Sequence, residues 1–223
     1  MQIREPIYDR DCCVRPLTDE DGPGLRRVAA DGRLWELWYT GVPAPDEHDD
    51  WLATALQGRD DGRWIPLVVE VAGTIVGTTR FYDLVPEVPR VAIGYTWYAA
   101  SVQRTRVNTT VKRLLLRHAF EEWGVATVQF HTDRYNKRSQ RAIEGLGAQR
   151  EGVLRHHQLR RDGTLRDTVC FGILRKTSGP MSTGTSGSVW PVTSPPDLAA
   201  SGAVRALHPA APGSRNEERR RPS

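Results

Sequence analysis

A chain of 223 residues with 39% hydrophobic and 26% charged residues, a net charge of +4 and a pI near 9.2 suits one ordinary domain with chain to spare. No run approaches the roughly 18 to 20 uninterrupted apolar residues of a membrane helix, and residues 1–10 hold charges where a secretory leader has its apolar stretch. A soluble, cytoplasmic protein with no membrane partner is therefore expected. Cys12, Cys13 and Cys170, two of them adjacent and none at C-x-x-C spacing, exclude a disulfide framework or a zinc finger, and no metal is expected. The excess of 31 basic over 27 acidic residues is too small to demand nucleic acid, and an anionic small ligand would account for it.

Residues 13–17 read as a short extended run, and Thr18-Asp19-Glu20-Asp21 is a capping signal that opens a helix toward Trp38. The spacing of Trp51, Leu52, Ala55 and Leu56 predicts a second helix over 46–56. Strands are predicted over 65–71, 74–82 and 90–98, the first two joined by the hairpin signal Ala72-Gly73. A polar loop, 102–108, leads into a helix whose apolar face is Val111, Leu114, Leu115, Ala119 and Trp123, ended by Gly124. A strand over 126–132, a helix over 136–146 with Gly147 at its end, and a hairpin pairing 148–161 with 165–174 around Asp162-Gly163 complete the pattern. The order is β-αα-βββ-α-β-α-ββ, which builds one α/β domain over 1–175, a mixed sheet with helices on both faces. From Lys176 onward Gly, Ser, Thr and Pro make up about half the residues and apolar periodicity is lost, so 176–223 are expected to be a disordered low-complexity tail.

The passage 90–123 has a chemistry of its own. A strand ends, a polar cationic loop follows and a helix begins; the free N–H groups of that helix start, its dipole, and the charges of Arg104 and Arg106 make an anion site suited to a diphosphate. Neither a Walker A motif nor G-x-G-x-x-G is present, and a plain polar turn with solvated arginines is the competing reading.

Three motifs in order carry a family resemblance: Ile93-Gly94-Tyr95-Thr96-Trp97-Tyr98, then Gln103-Arg104-Thr105-Arg106-Val107-Asn108-Thr109, then Thr132-Asp133-x-x-Asn136-x-x-Ser139-x-x-Ala142-Ile143-x-x-Leu146-Gly147-Ala148. The chain resembles the GNAT N-acetyltransferases over residues 3–174, and more narrowly their RimJ/RimL branch. The resemblance implies the acyl-CoA N-acyltransferase fold, with one mixed, mostly antiparallel sheet, and acetyl-CoA as donor. It places the diphosphate on Gln103, Arg104, Thr105, Arg106, Val107, Asn108 and Thr109, and pairs the pantetheine arm with Thr96, Trp97 and Tyr98. Asn136 and Ser139 match positions near the pantetheine and thiol, and are the candidate catalytic pair; a helix N-cap and a small packing residue are their structural alternatives. Trp38 and Tyr39 are candidate acceptor-binding residues, with core packing as the alternative and favoured for Trp35. The implied reaction is direct attack of an amine on the thioester in a ternary complex, assisted by a backbone N–H near Tyr98. The acceptor is a small amine or a protein N-terminus, and the protein a monomer or homodimer that binds no nucleic acid. His118 and His131, without partners at ligand spacing, read as structural, and at most one of His156 and His157 faces the cleft.

Three positions depart from the family pattern. Ala92 stands where a glutamate is common, Ile143 where many relatives place a thiol-protonating tyrosine, and Arg106 where the diphosphate loop has its first glycine. Base work is then expected to pass through water, Glu70 or Asp133, and proton donation to the thiol through Ser139. A side chain at Arg106 threatens both close phosphate approach and free φ, so weak acetyl-CoA binding is expected, strengthened by Arg106→Gly in a calorimetric titration. A catalytically weak CoA-binding protein is the second reading, and a nucleic-acid module a third. Relatives in this branch continue past the last strand with an Asp-Glu-Trp-Pro-like run; the residues 176–182 can be encoded so that a shifted frame reads Asp-Glu-Trp-Pro-Asp-Val. A frame-shifted C-terminus is therefore expected, and the nucleotide sequence tests it.

Overall fold

The computed structural model describes residues 1–175; the expected tail, frame-shifted or not, lies outside the described residues. Twelve elements follow one another: β1 (Ile7–Asp9), β2 (Cys12–Pro16), α1 (Gly22–Ala30), α2 (His48–Asp60), β3 (Trp64–Val71), β4 (Thr74–Val85), β5 (Arg90–Tyr98), α3 (Val107–Arg117), β6 (Thr127–Asp133), α4 (Lys137–Glu144), β7 (Gln149–Leu159) and β8 (Leu165–Leu174). They form one eight-stranded sheet in the order β1-β2-β3-β4-β5-β6-β8-β7, antiparallel except where β5 and β6 run parallel. The predicted α/β class and mixed sheet are observed.

Local chemistry accounts for most boundaries. Ala72 and Gly73 both take positive φ, as a tight two-residue hairpin requires, and Gly163 does the same between β7 and β8. The first helix is shorter than predicted: it stops at Ala30, where Gly32 takes φ +86°, and 33–47 run on as a loop containing one short turn at Leu34–Glu36. Strand β1 carries no strong periodicity in sequence and forms because its register against Cys12–Val14 completes the sheet edge.

Alternation along the strands divides the core. Val14, Leu67, Val69, Phe81, Val91 and Ile93 face α3 and α4, packing on Val111, Leu114, Leu115 and Ile143. Val68 and Trp97 face the other way, against Leu17, Leu25, Val28, Ala55 and Leu56 of the α1 and α2 layer. That second layer contacts β3 and β4, so it stops short of the sheet's β6-β8-β7 end.

Candidate active site

Strand β5 pairs with β6 only at Arg90↔Thr127, Val91↔Val128 and Ala92↔Gln129. Beyond Ala92 the two strands part: β5 keeps β4 on one side, while β6 keeps β8 through Asp133. The outward N–H and C=O groups of β5 from Ile93 to Tyr98 therefore meet no strand among the described residues and stand ready for an extended ligand. Between Arg80↔Gly94 and Thr78↔Trp97 β5 uses one more residue than β4, a bulge in which Tyr95 takes φ +52°. The indole of Trp97 and the phenol of Tyr98 are buried, so what this stretch offers the opening is backbone.

The loop after β5 is tied back to it. Gln103 Nε2 donates to the Tyr98 carbonyl at 2.8 Å, and Thr105 Oγ1 donates to the Val102 carbonyl at 2.6 Å while accepting the Val107 N–H at 3.3 Å. Arg104 sits at φ +64°, exposed, and Asn108 and Thr109 lie half-buried in the first turn of α3, whose N–H groups point into the loop's mouth. Two expectations about Arg106 are corrected. Its φ of −67° is ordinary helical backbone, so the conformational need for glycine falls on Arg104 instead. Its guanidinium is held away at the β1–β2 turn, donating to Asp11 Oδ1 at 2.5 Å and keeping that carboxyl below the usual range.

Beneath the bulge lies a residue that sequence reasoning missed. Lys112 of α3 is buried, and its Nζ donates to Thr79 Oγ1 at 3.0 Å and Thr96 Oγ1 at 2.7 Å. With hydroxyls as its partners, burial pushes the ammonium pKa down to about 7. The available signal was a lysine three residues before Leu115 and seven before Ala119, on the apolar stripe of its helix.

On the far side of the opening, Asn136 caps α4, its Oδ1 accepting the Ser139 N–H at 3.0 Å, while Gln140 fastens the helix to the carbonyls of Asp133 and Arg134. The structural alternative for Asn136 is thus realised. Ser139 is half-buried one turn into the helix, and Ile143 is buried in the core. Trp38 is 44% exposed and stacks edgewise on Tyr39 (5.6 Å) and tilted on Tyr135 (5.4 Å), with the Arg160 guanidinium over both Trp38 and Tyr135. This aromatic rim gathers the α1–α2 loop, the β6–α4 turn and the β7–β8 hairpin; Arg161 of the hairpin donates to the Val42 carbonyl at 2.6 Å and pairs with Glu47. Trp35 packs on the α1 and α2 core, as its alternative reading held.

Neither carboxylate expected as a base is free for that work. Glu70 accepts two bonds from Arg15 on the β2–β3 side of the sheet, away from the opening. Asp133 is 2% exposed, ion-paired to Arg160 at 2.7 Å, and accepts the Tyr135 N–H at 2.8 Å.

On the sheet face that α1 and α2 leave open, a groove of about 590 Å³ runs past the parting strands. Its lining includes Tyr82, Tyr95, His131, His157 and Cys170. Gly94 makes room for the Tyr82 ring of that lining: a Cβ there would lie 2.8 Å from Tyr82 Cε1. Arg90 and Gln129 (3.0 Å), and Gln129 and Glu151 (3.3 Å), form a polar chain at its paired end. Among the described residues no cluster of three or more His, Cys, Asp or Glu side chains has the makings of a metal site, and no helix is long and apolar enough to cross a membrane.

Strands parted beside a bulge, with a helix N-terminus at the mouth, make the architecture of a CoA-dependent acyltransferase. Residues 12–149 match the family described as acetyltransferase (GNAT) domain, and the chain belongs to that family: it is an acetyl-CoA-dependent N-acetyltransferase. A structure described as an acetyltransferase from T. thermophilus is 31% identical with a TM-score of 0.68, over 78% of this chain and 91% of that one. Two more distant structures share the fold. RimL, a ribosomal L7/L12 α-N-protein acetyltransferase in complex with coenzyme A, is 14% identical (TM-score 0.66; 76% of this chain, 98% of that one). Mycobacterium smegmatis RimJ, in complex with CoA-disulfide, is 22% identical (TM-score 0.64; 73% and 81%). A comparison with curated proteins returns no match.

Proposed function

We propose that this protein transfers an acetyl group from acetyl-CoA to a primary amine, a protein N-terminus or a small molecule, by direct attack in a ternary complex. The observation that carries the reading is the parting of β5 from β6 after Ala92↔Gln129, beside the Tyr95 bulge and in line with the start of α3. The open edge of β5 at Thr96–Tyr98 pairs with the pantetheine arm, and the loop from Gln103 to Thr109 with the first turn of α3 receives the diphosphate. Acetyl-CoA supplies the activated thioester. The bulge aims a β5 N–H at the position where negative charge develops on the carbonyl oxygen, which favours the transition state over the ground state. Ser139, one turn into α4, delivers a proton to the departing sulfur, and Asn136 sets the helix start that positions it. Trp38, Tyr39 and Tyr135 form the rim against which the acceptor lies, and the exposure of Trp38 supports that reading.

The RimL neighbour acts on a protein N-terminus, which favours that acceptor class at the level of shared fold. Thiol release from acetyl-CoA, measured against a panel of N-terminal peptides and small amines, tests the proposal; turnover with at least one member is expected. A CoA-binding protein without turnover is the second reading, favoured by Ala92 and Ile143, and CoA affinity without thiol release across the panel would select it.

A further inference from the structure

The acceptor side of the site holds a feature that the reaction above does not use. His131 on β6 lies two residues beyond Gln129, the last residue paired with β5, so it is the first position on that face of β6 after the strands part. Its Nδ1 is 3.1 Å from Tyr82 Oη. The other ring nitrogen, Nε2, has no hydrogen-bond partner among the described residues and is not sealed from solvent. The ring lines the groove together with Tyr82 and Tyr95, and Gly94 lets the Tyr82 ring lie across β5 beside Ala92, its register partner.

We propose that His131 is the general base of the reaction, that Tyr82 positions it, and that the acceptor amine enters along this groove. The inference rests on the acetyl-transfer reading. With Tyr82 Oη accepting from Nδ1–H, the lone pair of Nε2 faces the groove. The bound ammonium gives one proton to Nε2, directly or through one water. The free amine then forms the C–N bond as the C–S bond breaks; its second proton reaches the sulfur by way of the Ser139 hydroxyl, which gives up its own proton and takes this one in return, and His131 returns the first to solvent. The other groove bases fit less well, Asp83 of β4 being exposed to solvent. His157 is on β7, two strands from the opening, with its Nδ1 at 3.2 Å from Thr168 Oγ1; the Cys170 thiol is pushed up by burial; and Glu151 accepts from Gln129.

Burial holds the His131 imidazole below its ordinary value, and Arg90 of β5, Arg166 of β8 and His157 of β7 act in the same direction, against Asp83 of β4. The ring is thus neutral at pH 7, as a base must be. A base that accepts from bound ammonium puts the acid limb of kcat/KM at the imidazole; without it only free amine reacts, and the limb moves up to the acceptor's own pKa.

The experiment measures pH profiles of kcat/KM for the full chain, His131→Gln and Tyr82→Phe, with CoA affinity by calorimetry and the His131 tautomer by ¹⁵N NMR. Expected for His131→Gln are unchanged CoA affinity, a loss of about 100-fold at pH 7, and a limb displaced to the acceptor's pKa. Tyr82→Phe shifts the limb to lower pH, because the imidazolium loses its acceptor. An unmoved limb with activity within threefold of the parent overturns the proposal. Should His131→Gln lose CoA binding, the NMR decides: a proton on Nδ1 supports the assignment, and one on Nε2 overturns it. Absence of turnover in the parent chain would instead overturn the acetyl-transfer reading and this proposal with it.

Discussion

Arg104 and Arg106 are two residues apart, and the backbone treats them oppositely. An L-residue in the left-handed region costs about 1 to 2 kcal/mol, and Arg104 bears that cost while Arg106 does not. Arg104→Gly is expected to raise stability by about 0.5 to 1 kcal/mol in urea denaturation, the gain reduced by glycine's larger unfolded-state entropy. The Asp133–Arg160 pair makes a second prediction. Removing the carboxylate charge leaves a nearly buried guanidinium uncompensated, so Asp133→Asn should cost about 3 kcal/mol in the same measurement. If Asp133 is structural, the acid limb of the rate profile should stay in place in that variant. Both residues were visible in sequence, one as a loop arginine and one as a strand-end aspartate. Their roles were not, because φ at Arg104 and the partner of Asp133, 27 positions along the chain, are set by tertiary contacts.

Between α3 and the β5 bulge, Lys112 couples an element contact to pH. Its folded pKa of about 7 lies below the unfolded value of about 10.4, so between those limits the unfolded chain holds more protons. Its contribution to stability therefore rises with pH from about 7 to about 10, and the full penalty of charging it is present below 7. Lys112→Met should accordingly stabilise the protein more at pH 6 than at pH 9, read from paired denaturation curves. Loss of the two threonine bonds would also loosen the bulge, so the same variant should turn over acetyl-CoA more slowly. The elements themselves were largely legible: the hairpins at Ala72-Gly73 and Asp162-Gly163 and the helix after the polar loop stand where turn chemistry and period predict them. The first helix was overextended, because Trp35 and Trp38 continue an apolar spacing past Gly32, where the chain turns into a loop.

At the scale of the molecule, charge takes on a different meaning. Residues 176–223 contain six of the 31 basic and three of the 27 acidic side chains, so residues 1–175 are close to neutral and the pI carries no case for a polyanionic partner. We propose residues 1–175 as the catalytic domain. A chain ending at Arg175 should then keep the melting temperature and kcat/KM of the full chain, as measured side by side.

Composition, turn residues and the periods of the apolar positions determined the class, the element order and the polar cationic loop before α3, because these depend on contacts near in sequence. The tertiary structure alone decided where β5 leaves β6, which buried lysine sits beneath the bulge, and that His131 and His157, among the described residues, line the groove past the parting strands. A strand's register against a partner 37 residues away, such as Ala92 against Gln129, is set by packing of the whole sheet, and no local pattern encodes it.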